Sequence, residues 1–83
     1  MQNEEIKNLI EEGIPDCVVE INGDGRHFDA IIISDVFAGK TMVQQHQVVY
    51  GALGEKMGTD IHALSLTTYT PDEWQKKKHF KLV

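Results

Sequence analysis

Two strand-forming segments separated by one helix-forming segment constrain the fold of this chain more than any other feature. The segment HFDAIIIS (27–34) is rich in β-branched residues, and IHALSLTT (61–68) alternates between two faces, with His62, Leu64 and Leu66 on one of them. The apolar residues between the two segments recur at helical spacing. A strand, a helix and a strand in this order form a crossover that is almost always right-handed and that makes the two strands parallel. The sequence therefore predicts a β-α-β unit.

The helix of this unit is predicted to carry an apolar stripe that ends before Gly58. Gly51 and Gly54 fall inside the predicted helix, and each costs about 1 kcal/mol relative to alanine. We therefore expect these two glycines to permit close packing against the sheet. The residues of the stripe, which are separated by one, three or four positions, are Met42, His46, Val49, Tyr50, Leu53 and Met57.

The segments on either side complete an α-β-β-α-β-α order. NEEIKNLIEEG (3–13) predicts an amphipathic helix that Asn3 caps and Gly13 ends. CVVEI (17–21) predicts a first strand, and the turn residues NGDG at 22–25 join it to the second strand as a hairpin.

The segment TPDEW (70–74) is a strong helix start. Thr70 caps the predicted helix, Pro71 suits its first position, and Glu73 completes a capping box.

Length and composition limit the classes of protein to consider. The chain has 83 residues, of which 41% are hydrophobic, so we expect a single domain over residues 1–83. The single cysteine, Cys17, excludes an internal disulfide framework. The N-terminus does not combine basic residues with a long apolar run, so we expect neither a signal peptide nor a membrane span. We therefore expect a cytoplasmic protein. No nucleophile has a base evident in the sequence, which predicts that the chain is not an enzyme.

Two histidines are expected to meet at one edge of the sheet. Parallel strands start at the same end, so His27, just before the second strand, and His62, at the start of the third, should be about 5 Å apart if the strands are neighbours and about 10 Å apart if one intervenes. Neutral imidazole is a good ligand for iron, zinc or copper. Two histidines leave a coordination sphere incomplete, so a partner protein or a small thiol would supply the rest. The alternative is that each histidine is structural and bonds a neighbouring carbonyl.

The segments FAGKTMVQQHQVVYGALGEKM (37–57) and IHALSLTTYTPDEW (61–74) resemble the BolA family, specifically its short-loop bacterial branch. The resemblance covers nearly the whole chain, from the first helix to Trp74. It implies an α/β fold similar to a class II KH domain, with a three-stranded mixed sheet packed against helices on one face. This BolA-like fold agrees with the α-β-β-α-β-α order.

The resemblance also implies a function. Proteins of this family bind monothiol glutaredoxins of the CGFS type and share a bridging 2Fe-2S cluster, to which the glutaredoxin gives a cysteine and glutathione gives a thiol. The histidine of the H-A-L motif is the family's cluster ligand and corresponds to His62. The second ligand comes from the loop between the first two strands, where His27 is the nearest match. The implied roles are iron-sulfur cluster maturation or trafficking, and the response to iron and acid stress.

The alternative is a DNA-binding transcriptional regulator with a KH-like surface, in which Lys40, Arg26 and Lys76 would contact phosphates. The net charge of −5 opposes DNA binding. Many family members carry Arg-His-Arg where this chain has Gln-His-Gln at 45–47, which removes two phosphate contacts. His46 is predicted to be a core histidine. We expect the isolated chain to be a monomer or a weak homodimer.

Overall fold

In the part of the chain that the structure describes, three α-helices and three strands follow one another in the predicted order. The computed structural model describes residues 2–24, 26–54 and 63–81. The α/β fold and the α-β-β-α-β-α order are confirmed. The elements are α1 (Asn3–Gly13), β1 (Val18–Gly23), β2 (His27–Ile33), the 3-10 turn η1 (Asp35–Phe37), α2 (Met42–Leu53), β3 (Ala63–Tyr69) and α3 (Pro71–Lys81).

The strand β2 lies at the centre of a mixed sheet with the order β1-β2-β3. β1 is antiparallel to β2, with Val18 opposite Ile33, which confirms the hairpin. β3 is parallel to β2, with His27 opposite Ala63. The predicted β-α-β unit is therefore confirmed, and its two strands are direct neighbours.

One face of the sheet carries the hydrophobic core. Phe28, Ala30 and Ile32 of β2 are buried, whereas His27 and Asp29, which alternate with them, are exposed. Because side chains alternate between the two faces of a strand, His27 belongs to the solvated face. Helices α1 and α2 cover the buried face, and the core residues are Ile6, Ile10, Ile14, Val19, Phe28, Ala30, Ile32, Phe37, Val49 and Leu53.

The helix α2 is shorter than the sequence predicts. It ends at Leu53, and Gly54 caps it with a φ of 59°. Glycine adopts positive φ without a steric penalty, so Gly54 ends the helix instead of packing inside it. Gly58, the predicted end of the helix, lies outside the described residues, as does Met57.

Only part of the predicted apolar stripe of α2 reaches the core. Val49 is buried, but Met42 is 70% exposed and Tyr50 is 40% exposed, so the prediction is wrong for these two residues. Tyr50 is rotated by about 100° around the helix from Val49. In the first turn of α2, the side chain of Gln45 reaches β3 in place of Met42.

Gln45 fixes the loop between β2 and α2 against the sheet. Its Nε2 donates to the main-chain oxygens of Phe37 at 3.1 Å and Lys40 at 3.0 Å. Its Oε1 accepts a hydrogen bond from the Oγ1 of Thr68 on β3. A single amide side chain therefore satisfies two loop carbonyls and joins the loop to a strand.

The helix starts depend on local capping. Glu73 and Thr70 form the predicted capping box, in which the Thr70 Oγ1 accepts from the Glu73 N–H at 3.2 Å and the Glu73 Oε1 accepts from the Thr70 N–H at 2.8 Å. Helix α1 is capped one residue earlier than predicted, because Gln2 is the N-cap instead of Asn3. None of the helices in the described ranges is long and apolar enough to cross a membrane.

Two glycines have opposite environments. A Cβ at Gly13 would lie 2.6 Å from the Cβ of Ala52 and 3.0 Å from its Cα, so Gly13 lets α1 approach α2. Gly51 is exposed, and a Cβ there would meet nothing within 4 Å among the neighbouring atoms described beyond its own helix backbone. The prediction that Gly51 permits close packing is therefore wrong.

We expect Gly51→Ala to raise the free energy of unfolding by about 0.5–1 kcal/mol, because alanine loses less backbone entropy in a helix. Gly13→Ala should lower it by roughly 1–3 kcal/mol, since the added methyl forces the two helices apart. Urea denaturation of the two variants beside wild type measures both changes. A loss of stability in Gly51→Ala would contradict the open position assigned to it.

Replacing Gln45 tests its role in holding the loop. We expect Gln45→Ala to lower the free energy of unfolding by roughly 1–3 kcal/mol, because it leaves partners of three hydrogen bonds unsatisfied. Gln45→Glu should be no better, since a carboxylate cannot donate to the two loop carbonyls. The matched control is Gln47→Ala, an exposed glutamine two positions away. Equal denaturation midpoints for Gln45→Ala and Gln47→Ala would refute the assignment.

Candidate metal-ligand site at the start of the central strand

His27 is the first residue of β2, and its side chain is exposed. It pairs with Ala63 across the parallel ladder, in which neighbouring strands are about 4.8 Å apart. The prediction that the second and third strands start side by side is thus confirmed. His62, the other predicted ligand, immediately precedes Ala63 in the sequence and lies outside the described residues.

The turn before β2 is closed around the main chain of His27. The Asp24 Oδ1 accepts hydrogen bonds from the N–H groups of Arg26 and His27, both at 2.9 Å. The Asp24 N–H in turn donates to the His27 carbonyl at 3.2 Å. The hydrogen bonds donated by His27 and then by Arg26 lower the pKa of the Asp24 carboxyl below its ordinary value.

The backbone also passes very close to itself at Gly23. A Cβ there would lie 2.7 Å from the His27 carbonyl oxygen and 2.5 Å from the Cδ1 of Phe28. Only glycine fits at this point, so Gly23 and Asp24 together determine how the chain enters β2.

The exposed imidazole of His27 fits the chemistry of a shared metal centre. Imidazole binds iron in 2Fe-2S clusters of mixed nitrogen and sulfur ligation, and an exposed ring can be reached by ligands from another molecule. In the described part of the chain, no three His, Cys, Asp or Glu side chains are grouped to hold a metal ion. Within those residues, a metal bound at His27 would therefore lack a complete set of ligands.

Cys17 lies at the opposite end of the sheet from His27. It precedes Val18, which pairs with the last residue of β2, and the seven residues of β2 separate the two ends by roughly 20 Å. The Cys17 Sγ donates a weak hydrogen bond to the Ile10 oxygen at 3.9 Å and packs against the core. Burial and the charge of Glu11 raise the pKa of the thiol, which makes Cys17 a poor nucleophile and leaves it a packing role.

His46 lies at the same distant end, beside an open groove of about 500 Å³. It is half-buried, so it does not belong to the core as predicted, and its ring makes an edge contact with Tyr50 at a centroid distance of 6.5 Å. The groove between α2, β3 and α3 is also lined by Lys40, Tyr69 and Glu73. His46 and His27 therefore occupy different surfaces.

The basic residues considered for DNA binding do not form one patch in the part of the chain that the structure describes. Arg26 precedes β2, whereas Lys40 follows it, so β2 separates them by roughly 20 Å. Lys40 shares its groove with the carboxylate of Glu73. Lys76 is exposed on α3, which follows the end of β3 near Lys40 and away from Arg26.

Sequence reasoning missed two residues that shape these surfaces. The sequence indicates only a turn at Asp24, although aspartate commonly accepts hydrogen bonds from main-chain N–H groups two or three residues later in the chain. At Gln45 the family resemblance indicates only the absence of an arginine. Its hydrogen bond with Thr68 spans 23 residues, so no local pattern reveals it.

Comparisons with known proteins agree with this architecture. A family model described as BolA-like protein matches residues 6–73. The acid stress protein IbaG of Escherichia coli K12 is 37% identical over 79 residues, which are 94% of each chain. The DNA-binding transcriptional regulator BolA of the same strain is 40% identical over 53 residues, 64% of this chain and 50% of that protein.

A solved structure of a bolA protein homologue from Coxiella burnetii superposes with a TM-score of 0.84 and 46% identity. The match covers 90% of this chain and 97% of that chain. The family model covers most of the sequence, and the fold and the relatives agree with it: the chain belongs to the BolA family.

Proposed function

We propose that this protein is an adaptor that binds a monothiol CGFS glutaredoxin and shares a bridging 2Fe-2S cluster with it. His62 and His27 would be its ligands, and the glutaredoxin cysteine and glutathione would supply the thiols. The observation that carries the proposal is the parallel pairing of β2 with β3, which sets His27 opposite Ala63, the residue that follows His62.

The ligand chemistry of the described residues supports a shared cluster over one held by this chain alone. The single thiol of the chain is partly buried, protonated and roughly 20 Å from His27. A cluster at His27 would therefore take its thiolates from another molecule. Histidine ligation makes a 2Fe-2S cluster less anionic and raises its potential, and a histidine can be protonated and leave. These properties suit transfer or sensing of a cluster.

The proposal also extends to the cellular role of the protein. The relative from Escherichia coli that matches nearly end to end is named an acid stress protein. We therefore propose a role in iron-sulfur maturation or in the response to iron and acid stress.

The DNA-binding alternative has less support. The relative named as a DNA-binding regulator matches this chain over half of its own length. Phosphate binding needs clustered cations, whereas Lys40 and Arg26 lie at opposite ends of β2 and Lys40 adjoins Glu73. The net charge of −5 adds a general repulsion from nucleic acid.

Anaerobic cluster reconstitution tests the proposal directly. The protein is mixed with a CGFS glutaredoxin, glutathione, iron and sulfide, and visible absorption and circular dichroism are recorded. We expect the wild-type protein to convert the spectrum of the glutaredoxin homodimer into a distinct mixed-ligand spectrum. His62→Ala and His27→Ala should abolish or strongly change this spectrum, because each removes an imidazole ligand.

His46→Ala is the matched control, since it removes an imidazole at the other end of the sheet. It should behave as wild type. A wild-type protein that leaves the glutaredoxin spectrum unchanged would overturn the proposal. Titration with duplex DNA at several salt concentrations would then become the next measurement, because binding through phosphates weakens steeply with salt.

A further inference from the structure

We propose that Asp24 is the positioning residue for the His27 ligand. This inference rests on the proposed function and assigns to Asp24 a role in presenting the imidazole to the shared cluster. Asp24 does not touch the cluster; it acts through the main chain of His27.

Both main-chain polar groups of His27, the N–H and the carbonyl, form hydrogen bonds with Asp24 in this turn. The His27 N–H donates to the Asp24 Oδ1 at 2.9 Å, and the His27 carbonyl accepts from the Asp24 N–H at 3.2 Å. The same Oδ1 also accepts from the N–H of Arg26 at 2.9 Å. One residue thus binds both main-chain polar groups at the point where the ligand side chain leaves the chain.

On the solvent-exposed side of the turn, these hydrogen bonds are the main constraint on the backbone conformation. Asp24, Arg26 and His27 are all exposed, so packing of their side chains does little to order them. On the other side, the His27 carbonyl and the ring of Phe28 occupy the space where a Cβ of Gly23 would be. The entry to β2 is therefore held from two sides before any metal binds.

Preorganisation of this kind increases the affinity of a ligand residue for a metal. A ligand whose backbone is already ordered loses less conformational entropy when the metal binds, and groups that orient a ligand affect affinity without touching the metal. The effect requires an acceptor atom at Asp24 and does not require its negative charge. This distinction makes the inference testable with two substitutions at one position.

The experiment compares Asp24→Ala, which removes the acceptor, with Asp24→Asn, which keeps an Oδ1 acceptor. Thr70→Ala is the matched control, because it also deletes a side-chain oxygen that accepts a hydrogen bond from a main-chain N–H, that of Glu73, at the opposite end of the sheet. Each variant is loaded with the 2Fe-2S cluster together with the glutaredoxin and glutathione. The rate of cluster loss to an added iron chelator is then followed by visible circular dichroism.

We expect Asp24→Ala to lose the cluster roughly tenfold faster than wild type, which is the usual scale for removing an orienting group. Asp24→Asn and Thr70→Ala should remain close to wild type. A second readout uses the protein alone: the ¹⁵N order parameter of the His27 amide should fall in Asp24→Ala and be retained in Asp24→Asn. This measurement detects positioning without any cluster.

The results that would contradict the inference differ according to whether the positioning role, the His27 ligand or the adaptor function is wrong. If Asp24→Ala holds the cluster as firmly as Thr70→Ala, or if Asp24→Asn is as weak as Asp24→Ala, the positioning role is wrong and the adaptor function stands. If His27→Ala retains a cluster as well as wild type, His27 is not a ligand and Asp24 has nothing to position. If the wild-type protein forms no shared cluster, the proposed function and the positioning role both fail.

Discussion

The parallel pairing of β2 with β3 is the constraint on which the rest of the structure depends. Parallel neighbours cannot be joined by a tight turn, so the chain must cross from the end of β2 back to the start of β3. Helix α2 makes most of that crossing, and its buried residues Val49 and Leu53 close the core over the sheet. The same pairing aligns His27 with Ala63, so the register that builds the core also defines the candidate site.

The two ends of the sheet differ in chemistry because the connections there differ. At the start of β2, a tight hairpin turn leaves an exposed imidazole and a carboxylate that is used by the main chain. At the other end, the loop from β2 to α2 and the start of α3 border an open groove, which Lys40 and Glu73 line. The part of the chain that the structure describes thus offers two surfaces roughly 20 Å apart, the first with the exposed imidazole of His27 and the second with the groove beside His46.

The features that sequence reasoning predicted well depend on short-range or general rules. The Thr70 cap of α3 involves residues three positions apart, and the position of His27 follows from the direction of parallel strands. The end of α2 is harder to predict, because the sequence offers a glycine at 54 and another at 58, and the helix ends at Leu53 with Gly54 at positive φ. The exposure of Met42 depends on contacts made elsewhere in the fold, which hydrophobic periodicity does not contain.

The glutamine at position 45 shows how a neutral side chain can have a structural role that a cation could not fill. An arginine at this position could donate to the two loop carbonyls that Gln45 binds, at Phe37 and Lys40. Arginine has no acceptor, however, so it could not receive the hydrogen bond from the Thr68 hydroxyl. In this chain the neutral amide therefore joins the loop to β3 and adds no positive charge to the surface. The same three hydrogen bonds hold the side of the groove in one shape without offering a cation to a phosphate.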